Sequence, residues 1–215
     1  MNIELSYEVN KVGITIGKPL PQQRTYIITG VERGGTSPVA GAARALGLYL
    51  GEGLHQNNED PLFVHRGYDE TIDAINLRNS THSVWGWKFP KAFLDLPLYL
   101  DHVRNPNLII VFRDPIASSM GHEKWSGIGI YKPMHFHLSE SQAYNSLNLT
   151  HALAARVPTF LISYEKWLLN IEIGVEELAK FLLLKSPTEA LKKSMLKYLY
   201  GNTYKNFDDF FSSQI

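Results

Sequence analysis

The chain has 215 residues, 44% hydrophobic and 20% charged, and its 21 Lys and Arg balance its 21 Asp and Glu. This composition belongs to a globular domain with a substantial core, and the even charge excludes a general polyanion binder while leaving room for a local basic pocket. With no cysteine, disulfides, thiolate zinc sites and cysteine nucleophiles are excluded.

The N-terminal stretch MNIELSYEVNKVGITIG is charged and alternating, unlike a signal peptide, and no apolar run approaches the roughly 18 residues of a membrane span. The chain therefore reads as one complete cytoplasmic domain over residues 1–215, with residues 1–24 as an N-terminal hairpin or extension. VNKVG marks the hairpin turn, and KPLPQQ breaks the pattern ahead of the apolar strand RTYIITG. From Thr36 to Leu50 the spacing of Val39, Ala43, Leu46 and Leu50 predicts a helix with Pro38 in its first turn. LGEGLHQNNEDP reads as a loop, DETIDAINL as a short helix and HSVWGWK as a strand. KAFLDLPLYLDHV is helical with an interruption at Pro97, and NLIIVF is a buried strand by its continuous apolar run. DPIASSMGHEKW opens a helix with Pro115 near its start, and Ser139 to Arg156 forms another, with Ser139 and Gln142 at capping-box spacing. PTFLISY is a strand, followed by helices in VEELAKFLLL and SPTEALKKSMLKYLY. Strands separated by helices give an α/β fold: a three-layer sandwich around a central parallel sheet.

The chemistry concentrates at strand ends. In ITGVERGGTSPVA, Gly30 and Gly35 have the spacing of the phosphate loop G-x-x-x-x-G-K-[ST], but Thr36 stands where the lysine belongs and Ser37 follows. Gly34 and Gly35 let backbone approach a phosphate, free N–H groups at the helix start point at it, and Thr36 and Ser37 add hydroxyl donors. Lacking the lysine that reaches a triphosphate's outer phosphates, and carrying Arg33 instead, the loop suits a shorter anion. NLIIVFRDPIASS delivers Arg113 to a strand's C-terminal end, where ligands of open α/β sheets bind, with Ser118 and Ser119 one turn into the next helix. FLISYEKWLLN places Tyr164 and Glu165 at a third strand end.

Together, in this order, these segments resemble the sulfotransferases that use 3′-phosphoadenylyl sulfate (PAPS), over about Tyr26 to Leu184. ITGVERGGTS is similar to that family's 5′-phosphosulfate loop, IIVFRDPIASS to its 3′-phosphate segment, ISYEKWLLNIEIGVEELAKFLLL to the Tyr-Glu segment of bacterial members, and WGWKFP to a lysine-bearing strand end. The resemblance implies that Arg33 takes the place of the loop lysine, that Thr36 and Ser37 hold the 5′-phosphate, and that Arg113 holds the 3′-phosphate with Ser119; the family's serine usually falls two turns after the arginine, where this chain has Met120 and Gly121. Tyr164 joins the donor site. The implied reaction moves a sulfuryl group from PAPS to a hydroxyl or amine of a carbohydrate, lipid or small-molecule acceptor, leaving adenosine 3′,5′-bisphosphate, in a monomer or homodimer with no nucleic-acid partner.

Such a reaction needs cationic and N–H donors at the leaving phosphate and a base at the attacking group. Arg33 supplies charge but cannot release a proton near neutrality, so Lys88 is the better proton donor. In LHQNNEDPLFVHRGYDE the base is Glu59 or, alternatively, His55 or His65. MHFHL, read as a strand, sets His135 and His137 on one face, but two ligands make no metal site, with His122 an unsupported third, and the chemistry requires no metal. Lys124 to His137 is aromatic and glycine-rich, as a flap over the acceptor would be. Two rivals remain on sequence grounds. A small-molecule kinase would want Lys at position 36 and a magnesium-binding aspartate such as Asp114; the other rival is a non-catalytic nucleotide- or glycan-binding descendant.

Overall fold

The structure, a computed structural model, describes residues 6–123, 132–200 and 206–212. Strands β1 (Tyr7–Val9) and β2 (Gly13–Ile16) form the expected N-terminal hairpin. Next come β3 (Arg24–Gly30), α1 (Thr36–Ala45), α2 (Tyr68–Thr81) and β4 (Val84–Lys88). The proline-interrupted stretch condenses into one short helix, α3 (Leu96–Tyr99), between 3₁₀ turns at Ala92–Leu94 and Leu100–His102. The chain continues through β5 (Pro106–Phe112), α4 (Pro115–Glu123), α5 (Met134–Ala155), β6 (Thr159–Ser163), α6 (Tyr164–Leu169), α7 (Ile171–Leu182), α8 (Glu189–Tyr200) and α9 (Phe207–Ser212).

The strands lie in the order β1-β2-β6-β5-β3-β4. From β6 to β4 all pairs are parallel, whereas β2 adds to β6 antiparallel. The expected parallel sheet is thus the centre of a mixed one, because a hairpin needs no crossover and can add directly to an edge. Alternation along each strand splits the interior in two. Tyr26, Ile28, Ile109, Val111, Phe160 and Ile162 face α1, α7 and α8; Ile27, Leu108 and Ile110 face α2, the 92–103 segment and α5, with Trp85 and Trp87 on the same side. Each such side chain contributes about 1.5–3 kcal/mol by leaving water. The result is helix, sheet, helix: the three-layer α/β sandwich read from the sequence.

Two expectations are corrected. Helix α1 stops at Ala45 rather than Leu50: Gly47, at φ 98°, donates to the Arg44 carbonyl, and Leu48 donates to that of Ala43, a glycine-dependent stop. Leu48 and Leu50 still reach the core, from extended chain. Helix α5 starts at Met134 rather than Ser139, so MHFHL, whose histidines would share a face only if it were a strand, is its first turn. Its period-two residues Met134, Phe136 and Leu138 have no sheet edge to join and remain at least 36% exposed. Ser139 consequently lies inside the helix, its hydroxyl donating back to the His135 carbonyl at 2.9 Å instead of capping. Among the described residues no helix is long and apolar enough to cross a membrane.

Candidate active site

A cleft of about 460 Å³ opens at the C-terminal ends of β3, β4 and β5. The chain leaves β3 for β4 on one side and then places β5 on the other, so two connections diverge over this spot, the usual ligand position in open α/β sheets. The turn after β3 forms one wall. Gly35 caps α1 with φ 91°, and a Cβ there would lie 2.3 Å from the Tyr164 ring, so the position demands glycine for its backbone and for its neighbour. Arg33, also in the left-handed region at φ 58°, Gly35, Thr36 and Ser37 all line the cleft. The first N–H groups of α1 have no partner within the helix and carry the positive end of its dipole. Gly34 differs from expectation: it is buried, and its N–H is spent on the Val31 carbonyl at 3.0 Å, so it shapes the turn from below.

Lys88, the last residue of β4, is 1% exposed. Its ammonium donates to Glu59 Oε1 at 2.6 Å and to Ser37 Oγ at 3.1 Å. Burial pulls the Lys88 pKa below its ordinary value, with the Glu59 carboxylate opposing. The parallel register sets Lys88 beside Ile28, two residues before the end of β3, which brings this strand-end lysine within reach of Ser37 on the turn after β3. The loop bearing Glu59 is braced twice. Asn58, buried and at φ 64°, donates to the Ser37 carbonyl at 3.2 Å and accepts from Arg44 at 2.8 Å. Asp60 pairs with Arg78 of α2 at 2.7 Å, both side chains largely buried.

Arg113 follows β5 and donates to the Arg33 carbonyl at 2.5 Å, its guanidinium 5.3 Å from the Tyr164 ring centroid. It thereby ties the phosphate loop to the next strand end while lining the cleft. Asp114 is committed to helix geometry: its carboxylate caps α4 by accepting from Ala117 N–H at 2.8 Å.

Among the residues expected at the site, Arg33, Gly35, Thr36, Ser37, Glu59, His65, Lys88, Arg113 and Tyr164 converge on the cleft. Ser119 does not. It is fully buried, its hydroxyl donating to the Pro115 carbonyl at 2.6 Å, and Ser118 is likewise buried against Ser141 at 2.6 Å. Gly121 and His122 present this part of α4 to the cleft instead. His55 also falls away: its side chain is exposed, while its backbone N–H donates to the Glu59 carbonyl at 2.9 Å and shapes the turn that aims Glu59 inward. Among the described residues no group of three or more His, Asp or Glu is arranged to hold a metal. Of the expected flap, residues 124–131 lie outside the described residues.

Sequence reasoning missed four participants. His122 stacks on His137 at 4.7 Å with nearly parallel rings, and a helical wheel, which groups it with the buried Ser118 and Ser119, gives no signal that it lines the cleft. Burial holds the His122 pKa below 6.5; His137 and Arg33 reinforce the shift, and Glu32 and Glu140 oppose it. Lys91 and Glu32 pair at 3.0 Å across the cleft wall. Asn58 had no local signal beyond being an asparagine in a loop, the residue type that best tolerates positive φ.

No model of a known protein family matches the chain, and no curated protein matches it. Among solved structures it is similar to retinol dehydratase in complex with retinol and PAP, with TM-score 0.49 and 12% identity over 96% of this chain and 78% of that one. It is also similar to a sulfotransferase from Alicyclobacillus acidocaldarius, with TM-score 0.48 and 13% identity over 85% of this chain and 97% of that one.

Proposed function

We propose that this protein is an enzyme that transfers a sulfuryl group from PAPS to an acceptor hydroxyl. The observation that carries the proposal is the ammonium of Lys88, held in the interior between Ser37 of the phosphate loop and the carboxylate of Glu59. A simple anion-binding turn needs no buried acid–base pair at its head, whereas a transfer reaction needs a cation at the leaving group and a base at the nucleophile.

The residues present fit the donor. The cleft volume lies within the range of small-molecule sites, and Arg33, Lys88, Lys91 and Arg113 bring positive charge to it from three chain segments. The helix N-terminus with Thr36 and Ser37 would hold the 5′-phosphate, Arg113 the 3′-phosphate, and Tyr164 would pack beside the loop. When bound, PAPS supplies the sulfuryl group: its S–O bond to the 5′-phosphate breaks as one to the acceptor oxygen forms. Arg33 and Lys88 place charge where the leaving phosphate becomes more negative. Glu59 takes the proton of the attacking hydroxyl, with His65 on the same cleft as the alternative base. Lys88, with its pKa drawn down by burial, holds Glu59 in place and is the residue able to return a proton to the leaving side. No step requires a metal. A kinase reading loses its aspartate, because Asp114 caps α4.

The test has two arms. Calorimetry should show adenosine 3′,5′-bisphosphate binding more tightly than ATP with magnesium, and labelled PAPS with a mixed acceptor panel should give turnover that Glu59→Gln lowers at least ~100-fold. Preference for ATP with magnesium would overturn the reading, and binding without turnover on any acceptor would reduce the protein to a binding module.

A further inference from the structure

A second cavity, of about 280 Å³, adjoins the cleft and shares His65, Phe89 and Lys91 with it. We propose that this cavity is the acceptor subsite and that it takes one neutral pyranose ring, presented as an alcohol. The inference rests on the sulfuryl-transfer reading for the direction of attack, and on the cavity alone for the class of ligand.

The interior of the cavity is aromatic. Phe63 and Trp87, 5% and 2% exposed, stack on each other at 4.8 Å beneath the cavity, Tyr99 closes one side, and the partly exposed ring among them is Phe89, which meets His65 edge-on at 5.8 Å. The rim is polar and of both signs: Arg66, Lys91 and Asp95. A pyranose has this division of chemistry, with C–H groups that lie against an aromatic face and a girdle of hydroxyls that both donate and accept. A lipid chain would leave the rim groups desolvated and unpaired, whereas neutral hydroxyls, which both donate and accept, can pair with rim groups of either sign. The volume sits just under the roughly 300 Å³ at which small-molecule sites begin, room for one ring and not a chain.

The walls are also held in advance. The loop from Glu59 to His65 is anchored to α2 through Asp60 and Arg78, Leu62 N–H donates to Asp60 Oδ1 at 3.0 Å, and Arg66 reaches the Pro61 carbonyl at 3.2 Å. That bracing maintains His65 at φ 54°, a conformation a histidine rarely adopts, at the wall common to both cavities. A hydroxyl emerging past His65 enters the cleft that holds Glu59 and Lys88.

The experiment is direct binding followed by the indole N–H signal of Trp87 and the amide signals of Thr36 and Ser37, with methyl glucoside, methyl galactoside, phenol and adenosine 3′,5′-bisphosphate each added alone. The expected result is that the methyl glycosides shift Trp87 and leave the loop amides in place, while the bisphosphate does the reverse. Leu94→Trp, at a 44% exposed position on the cavity mouth, should weaken glycoside binding at least tenfold, and Asp95→Ala should do so about tenfold, with bisphosphate affinity unchanged in both. Glycosides that leave Trp87 unmoved, glycoside binding indifferent to both variants, or phenol bound more tightly than either glycoside would each overturn the proposal. Glycoside shifts at Trp87 without any bisphosphate binding would uphold the cavity's assignment and sink the donor reading.

Discussion

Lys88 and Glu59 meet at 2.6 Å in the interior, and the same ammonium reaches Ser37 at 3.1 Å. Removing one member strands the other's charge away from water. Lys88→Met should therefore destabilise by about 3–5 kcal/mol, and the double variant Lys88→Met/Glu59→Met should recover much of that loss. Urea unfolding with an unchanged slope checks the stability part. Turnover should fall at least ~100-fold in Lys88→Met and in Glu59→Gln alike.

In the proposed reaction Arg33 and Arg113 play different parts toward the donor. Arg33→Ala should cut turnover far more than bisphosphate affinity, since its charge matters most as the leaving group forms. Arg113→Ala should weaken bisphosphate binding about tenfold or more, as expected for losing a charge-assisted contact, with a smaller change in turnover at saturating donor. Calorimetry and steady-state kinetics on both variants separate the roles. Equal losses in both quantities for Arg33→Ala would remove its assignment.

Gly35→Ala meets two obstacles at once, a φ of 91° and a Tyr164 ring 2.3 Å from the new Cβ. The backbone conformation alone costs about 1–3 kcal/mol, and bisphosphate binding should be lost with it. Adding Tyr164→Ala removes the collision but not the backbone cost, so thermal unfolding should show partial recovery only.

His122 makes stability depend on pH in a defined direction. Burial, first among its causes, holds its folded pKa below the ordinary 6.5. Below about 6.5 the unfolded chain binds this proton while the folded chain resists it, so stability falls as pH drops through that range and is unaffected by this residue above it. His122→Asn should flatten that part of the curve. Denaturant midpoints at pH 5.5 and 7.5 for both proteins read the difference.

Asn58 joins the Glu59 loop to the phosphate loop and to Arg44. Asn58→Ala loses both hydrogen bonds at a positive φ and should destabilise by about 1–3 kcal/mol, while Asn58→Gly, which relieves the backbone, should cost less. Limited proteolysis of the 51–67 loop, alongside melting, checks the order of the two.

The layered fold was legible because it is a matter of period. The continuous run NLIIVF and the helical spacing of Val39 and Ala43 depend only on which face of an element meets water, and neighbours in the chain carry that information. Element ends were less so. The helical spacing runs on past the glycine stop at Gly47, and the alternation in MHFHL does not decide between strand and helix, because a short alternating segment is a strand only when a sheet edge is there to receive it. The site divides in the same way. Thr36, Ser37 and Arg113 announce themselves by standing where a strand ends, a local signal. Ser119 lies off the cleft because the side of a helix that faces a cleft is set by what the other side packs against, here α5, where Ser141 meets the neighbouring Ser118, while the Ser119 hydroxyl turns back to the Pro115 carbonyl.

By itself, then, the order of residues determined the alternation of strands and helices, the glycine turn at the head of α1, and the positions of the basic residues that end strands. Only the folded chain decided that Lys88 would reach Ser37, 51 residues away, that Glu59 rather than His55 would face it, and that Gly121 and His122 rather than Ser119 would line the cleft. The physical reason is that a buried charge is tolerated only beside its partner, and which partner that is depends on parallel strand register and loop bracing, both of which join segments far apart in the chain.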